Sequence, residues 1–201
     1  MRTAAPALLP LFRSRLQGEL LALLLDEPDR EWPLNQLSKS MGSPYPTVVG
    51  EVRRLTDAGL ITARTIGRAK LVQANSSSPY FAPLRQLVSM AFGPPLVIKE
   101  EFAGLEGIEE LFIYGSWAAR YNGEVGPAPR DVDVMIIGSA SRDEVYEATR
   151  RSEQRLLKEV NVTMRTAAQW VEAEDGFSQQ VKQSSQVQLF PHPDGAPEPL
   201  S

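Results

Sequence analysis

Asp131 and Asp133 stand two residues apart in the run DVDVMII. A strand turns successive side chains to opposite faces, so these two carboxylates point the same way. Two carboxylates on one face attract Mg²⁺, a hard cation that binds oxygen and the phosphates of a substrate. Upstream, Gly115 and Ser116 follow the apolar run ELFIY and precede WAARY. A turn from strand to helix leaves backbone N–H groups free, and the helix dipole favours a phosphate there. Carboxylates with metal and a phosphate-gripping turn are what nucleotidyl transfer requires. Arg130 precedes the first aspartate; it has two open roles, binding a phosphate or pairing with Asp131 and displacing the metal. The chain has no cysteine, and its one histidine, His192, lies in a proline-rich tail. Thiolate catalysis is thereby excluded, a serine–histidine triad or histidine zinc site is argued against, and any metal chemistry falls to carboxylates.

The elements that must position these groups read as follows. Residues 110–114 form a strand, 117–121 a short helix and 122–129 a Gly/Pro loop. Residues 132–137 form a second strand ended by Gly138, 141–158 a charged helix, and 160–164 a third strand. Residues 166–183 are mainly helical and 186–190 a last strand. On the third strand, alternation puts Glu159, Asn161 and Thr163 on one face, opposite Val160 and Val162.

An apolar strand leading to Gly115-Ser116, a short helix, and then a strand opening on Asp131-x-Asp133 resembles the DNA polymerase β-like nucleotidyltransferase superfamily, especially its small prokaryotic members. The resemblance implies catalytic and metal-binding roles for Asp131 and Asp133, with Mg²⁺ as cofactor. It implies phosphate binding by Gly115 and Ser116, with Arg130 added, and an NTP as substrate or ligand. The chain departs from the pattern in three places: a longer loop over 121–130, Arg130 where a serine is usual, and Asn161 where active members place a third acid. Glu159 is a possible substitute for that acid.

The amino-terminal half differs in charge. Residues 1–91 carry 11 Lys and Arg against 7 Asp and Glu, whereas residues 92–201 carry 10 against 18. The net charge of −4 and pI near 5.2 therefore sum a basic half and an acidic half, a hint of two domains with different partners. After a frayed Ala/Pro-rich end over 1–10, apolar spacing predicts a helix from Phe12 to Leu25, with Leu16, Leu20, Leu23 and Leu24 on one side. A short helix follows over 33–41. A third helix opens at Ser43-Pro44, where Ser43 can cap, and turns Val48, Val52 and Leu55 inward. LITARTIGRAKLVQ over 60–73 alternates as a hairpin about Gly67.

Three helices and a basic hairpin, with Pro46-Thr47-Val48, Glu51-Val52-Arg53-Arg54-Leu55 and Asp57-Ala58-Gly59-Leu60-Ile61, resemble the winged helix-turn-helix domain of bacterial transcription regulators. The resemblance spans about sixty residues and makes the third helix the recognition helix and the hairpin the wing. It implies double-stranded DNA as partner, contacted by Tyr45, Thr47, Val49, Gly50, Arg53 and Arg54 from the helix. From the wing it implies Arg64, Arg68 and Lys70 on phosphate or minor groove. A helix over 80–91 carries Leu84, Leu87 and Val88, with Phe92 just past its end. It suits either a core connector or a dimer helix, and regulators of this kind usually form homodimers.

The expected architecture is α+β: an N-terminal winged helix over 10–75, a connecting helix and linker over 76–95, a small mixed-sheet nucleotidyltransferase-like α/β domain over 96–190, and a disordered tail over 191–201. The longest apolar run, Leu20 to Leu25, is far short of the ~20 residues of a membrane span, so a soluble cytoplasmic protein without membrane contact is expected. Three functional readings remain open. The first is a DNA-binding regulator whose second domain binds Mg-nucleotide or transfers a nucleotidyl group. The second is an active nucleotidyltransferase of the toxin–antitoxin kind acting on a protein or RNA. The third is an inactive interaction protein.

Overall fold

A computed structural model describes residues 11–172 and 175–190. The expected frayed end over 1–10 and the tail over 191–201 lie outside the described residues. The chain is mixed α+β with two small sheets and divides between residues 93 and 94 into two compact units. No helix among the described residues is long and apolar enough to cross a membrane.

The first unit opens with α1 (Arg15–Asp26), capped by Ser14, whose Oγ accepts from the Gln17 N–H. It continues through β1 (Trp32–Pro33), α2 (Leu34–Ser40), α3 (Tyr45–Asp57), the hairpin β2 (Ile61–Ile66) and β3 (Ala69–Ala74), and α4 (Phe81–Phe92). The antiparallel sheet runs β1-β3-β2. Val48, Val52 and Leu55 turn inward from α3 and join Leu20, Leu24, Trp32, Leu37, Ile61 and Val72 in the core. Full burial of each such side chain stabilises by about 1.5–3 kcal/mol. α4, within the expected connecting segment over 76–95, is part of this unit. Gly18 explains how closely its end approaches α1: a Cβ there would lie 2.5 Å from the Phe92 ring.

Two local readings change. β1 replaces the expected start of the second helix, because Trp32 and Pro33 pair with Val72 and Leu71 across the sheet. Ser43 does not cap α3. Its Oγ donates to the Met41 carbonyl, and Pro44 stands at the cap position instead.

The second unit contains α5 (Pro94–Phe102), β4 (Ile108–Tyr114), α6 (Gly115–Tyr121), β5 (Asp131–Gly138), α7 (Arg142–Leu156), β6 (Glu159–Arg165), α8 (Ala167–Glu172), α9 (Gly176–Gln183) and β7 (Gln186–Phe190). Its sheet order is β6-β5-β4-β7, with β5 parallel to β6 and the other pairs antiparallel. One face of the sheet presents Leu111, Ile113, Val132, Val134 and Ile136 to apolar residues of α5, α6 and α7. The other presents Phe112, Tyr114, Met135 and Ile137, which pack with Val181 and Trp170. Arg155 joins α7 to α5 through Glu100 at 2.7 Å and Glu101 at 2.8 Å, and Arg151 reaches Glu101 at 2.7 Å.

Candidate functional site

β5 is buried along most of its length, and Asp131 and Asp133 sit at its half-exposed beginning. The alternation that buries Val132 and Val134 turns both aspartates to the face that carries Met135 and Ile137. The parallel register sets Asp131 beside Glu159 and Asp133 beside Asn161, so the expected third position is occupied by an amide. Asn161 Nδ2 donates to Asp131 Oδ2 at 3.1 Å and to Asp133 Oδ1 at 3.2 Å. One neutral donor thus bridges the two carboxylates. Among the described residues no group of three or more His, Cys, Asp or Glu comes together as a cation site.

The electrostatics follow from this crowding. Burial pushes the Asp133 carboxyl above its ordinary range, the Asn161 amide pulls it down, and the neighbouring Asp131 charge pushes it up again. Tyr114, opposite Asp133 in the antiparallel register, shares a 3.3 Å hydrogen bond with Thr163 Oγ1. Burial is also the main reason the Tyr114 hydroxyl is raised above its ordinary range.

Gly115 follows β4 at a φ of +73°, a left-handed value that glycine adopts without strain. A Cβ there would lie 2.7 Å from Asp133 Oδ2. The turn and the second carboxylate are therefore in direct apposition, while Ser116 follows it exposed at the first turn of α6. Helix α6 starts at Gly115, two residues before the expected position. Arg130 is exposed and makes no ion pair with Asp131 among the described residues. Of its two open roles, pairing with Asp131 is not realised. Behind the start of β5, the buried Lys158 donates from Nζ to the Pro129 carbonyl at 2.7 Å and fixes the end of the 122–129 loop.

The proposed DNA-facing residues form a second, separate set. Tyr45, Thr47, Arg53 and Arg54 are exposed on α3, and Val49 and Gly50 are half-buried. Arg64 and Arg68 are exposed on the hairpin and Lys70 is half-buried. The arginines are not equivalent. Arg54 is held by Glu51 at 2.5 Å, and Arg64 makes two hydrogen bonds of 2.5 Å to the Glu31 carboxylate. Arg53 lies only 3.9 Å from Asp57, with both side chains well exposed. Arg68 and Lys70 make no ion pair among the described residues.

Sequence reasoning missed Glu31, whose link to Arg64 crosses 33 residues and carries no local signal. The Glu51–Arg54 pair has helical i, i+3 spacing and was detectable. No protein-family model matches this chain, and no curated protein matches it.

Proposed function

We propose that the chain is a DNA-binding regulator whose second unit binds a Mg-nucleotide. The observation that carries this reading is the constellation at the start of β5: Asp131 and Asp133 on one face, opposed by the left-handed Gly115 turn. The oxygen donors fit a hard divalent cation. Asp131 and Asp133 would hold Mg²⁺, which when bound neutralises the charge of a triphosphate. Gly115 and Ser116 supply the phosphate-facing turn, and the exposed Arg130 supplies a cation beside it. The antiparallel β4–β5 and parallel β5–β6 pairings agree with a nucleotidyltransferase-like sheet. Three helices with a β2–β3 hairpin agree with a winged helix, with α3 as the recognition helix.

Asn161 favours binding over transfer. Two-metal transfer draws on several carboxylates, and here the third place holds an amide that donates to both acids. The test is calorimetric titration of the protein with ATP and Mg²⁺, for wild type and Asp131→Ala. Binding that needs Mg²⁺ and disappears in Asp131→Ala is expected. Equal binding with and without Mg²⁺ would overturn the assignment. For the first unit, selection from a genomic DNA library should enrich particular sequences, and Arg53→Ala should lose that enrichment.

A further inference from the structure

The face that carries Asp131 and Asp133 does not end at the carboxylates. Along the same face, Tyr114 stands opposite Asp133, and Thr163 lies two residues beyond Asn161 on β6. Phe177, at the start of α9, sets its ring 6.1 Å from that of Tyr114 in an edge-to-face arrangement with an interplanar angle of 79°. Two residues past Thr163 on β6, Arg165 brings its guanidinium to 5.6 Å from the centre of the Phe177 ring. Arg165 is held there by donation from one guanidinium nitrogen to the Met164 carbonyl at 3.0 Å.

The other aromatics on this face are engaged with the core. Phe112 is 1% exposed and Tyr114 8%, and Trp170 lies against Phe112 at 5.6 Å. Phe177 differs, being 41% exposed although its ring touches a buried neighbour. The face therefore carries oxygen ligands at one end and an exposed ring with a planar cation further along. A flat aromatic heterocycle stacks on both an aromatic ring and a guanidinium plane.

We propose that Phe177, with Arg165 beside it, receives the base of the nucleotide whose phosphates sit at the Asp131–Asp133 end of the sheet. The ligand class is a nucleoside triphosphate. A bare polyphosphate, which lacks a base, satisfies only half of the face. The assignment rests on the nucleotide-binding reading above and adds to it the part of the ligand that gives selectivity.

The test is calorimetric titration in Mg²⁺ with each of ATP, GTP, CTP and UTP, and with inorganic tripolyphosphate. It compares wild type with Phe177→Ala, Phe177→Leu and Phe177→Trp. In wild type at least one nucleotide should bind about tenfold more tightly than tripolyphosphate, as expected for one base-stacking contact. Phe177→Ala and Phe177→Leu should bring that nucleotide down to the tripolyphosphate level, and Phe177→Trp should keep the gain. Tripolyphosphate affinity should be the same in all four proteins, which also reports that they are folded. Tripolyphosphate binding as tightly as every nucleotide in wild type overturns the base site alone. So does Phe177→Leu keeping the full nucleotide affinity, because leucine preserves bulk and lacks a π-face. A wild type that binds neither tripolyphosphate nor any nucleotide overturns the underlying nucleotide-binding reading as well.

Discussion

Gly115 and Asp133 occupy one space: a Cβ on the glycine would stand 2.7 Å from the aspartate Oδ2. Gly115→Ala therefore combines a strained left-handed backbone with a displaced carboxylate. The backbone strain alone costs about 1–2 kcal/mol. Chemical denaturation should show a loss of at least that size, with Mg-nucleotide affinity falling in parallel. A variant with wild-type stability and wild-type affinity would refute the apposition.

Asn161→Asp replaces the bridging donor with a third carboxylate. Without metal, three neighbouring negative charges repel one another and the variant should unfold at lower temperature than wild type. Addition of Mn²⁺ or Mg²⁺ should reverse the order, because a ligand that binds only the folded state stabilises it. We expect Mn²⁺ affinity to rise about tenfold, the change a 1.4 kcal/mol gain produces. Thermal melts with and without Mn²⁺ check this, and a metal response no larger than that of wild type would count against the site.

Glu31→Gln should tighten DNA binding. The Glu31 carboxylate now occupies both sides of the Arg64 fork, and a phosphate must displace it. Exposed pairs of this kind are worth up to ~1 kcal/mol, so the expected gain is about two- to fivefold. Fluorescence anisotropy with a labelled duplex measures it. Weaker binding by Glu31→Gln would show that the pair holds the hairpin in a binding-competent form.

The α5–α7 ion pairs set an acid limit on the second unit. Burial pushes the Glu101 carboxyl up, but hydrogen bonds from Arg151 and Arg155 outweigh it and hold the group below the ordinary value of 4.5. The unfolded chain then binds more protons than the folded one near that pH. The stability from these bridges is present above pH 4.5 and is lost as pH falls through the lower folded value. Glu101→Gln should flatten this part of the stability–pH curve. The effect is small, because solvent screens partly exposed pairs. Urea denaturation at a series of pH values measures it.

Much of this architecture is legible in the chain because its elements carry strong local periods. Val48, Val52 and Leu55 mark the inner side of α3, and Val132, Val134 and Ile136 mark one face of β5. Alternation along β6 also puts Glu159, Asn161 and Thr163 on one face, and the register sets the first two beside the aspartates. What escapes is set by distant pairing. Trp32 and Pro33 have no period of their own and become a strand only because Val72 and Leu71 lie opposite. Arg64 reads as an open cation, and only the folded chain brings Glu31 against it, 33 residues away. The exposed ring of Phe177 acquires meaning only from Tyr114, 63 residues earlier in the chain.

The glutamates that hold Arg54 and Arg64 also change how this protein would respond to ionic strength. Of the five cations proposed to meet DNA, Arg53, Arg68 and Lys70 have no close carboxylate partner among the described residues to give up before releasing condensed counterions from a duplex. Three such contacts give a logarithmic dependence of affinity on salt with a slope of about −3, whereas five would give about −4.5. A nucleic acid docked on this unit would therefore be held less by bulk charge than the basic sequence suggests, and would leave a larger share of its affinity to shape and base contacts.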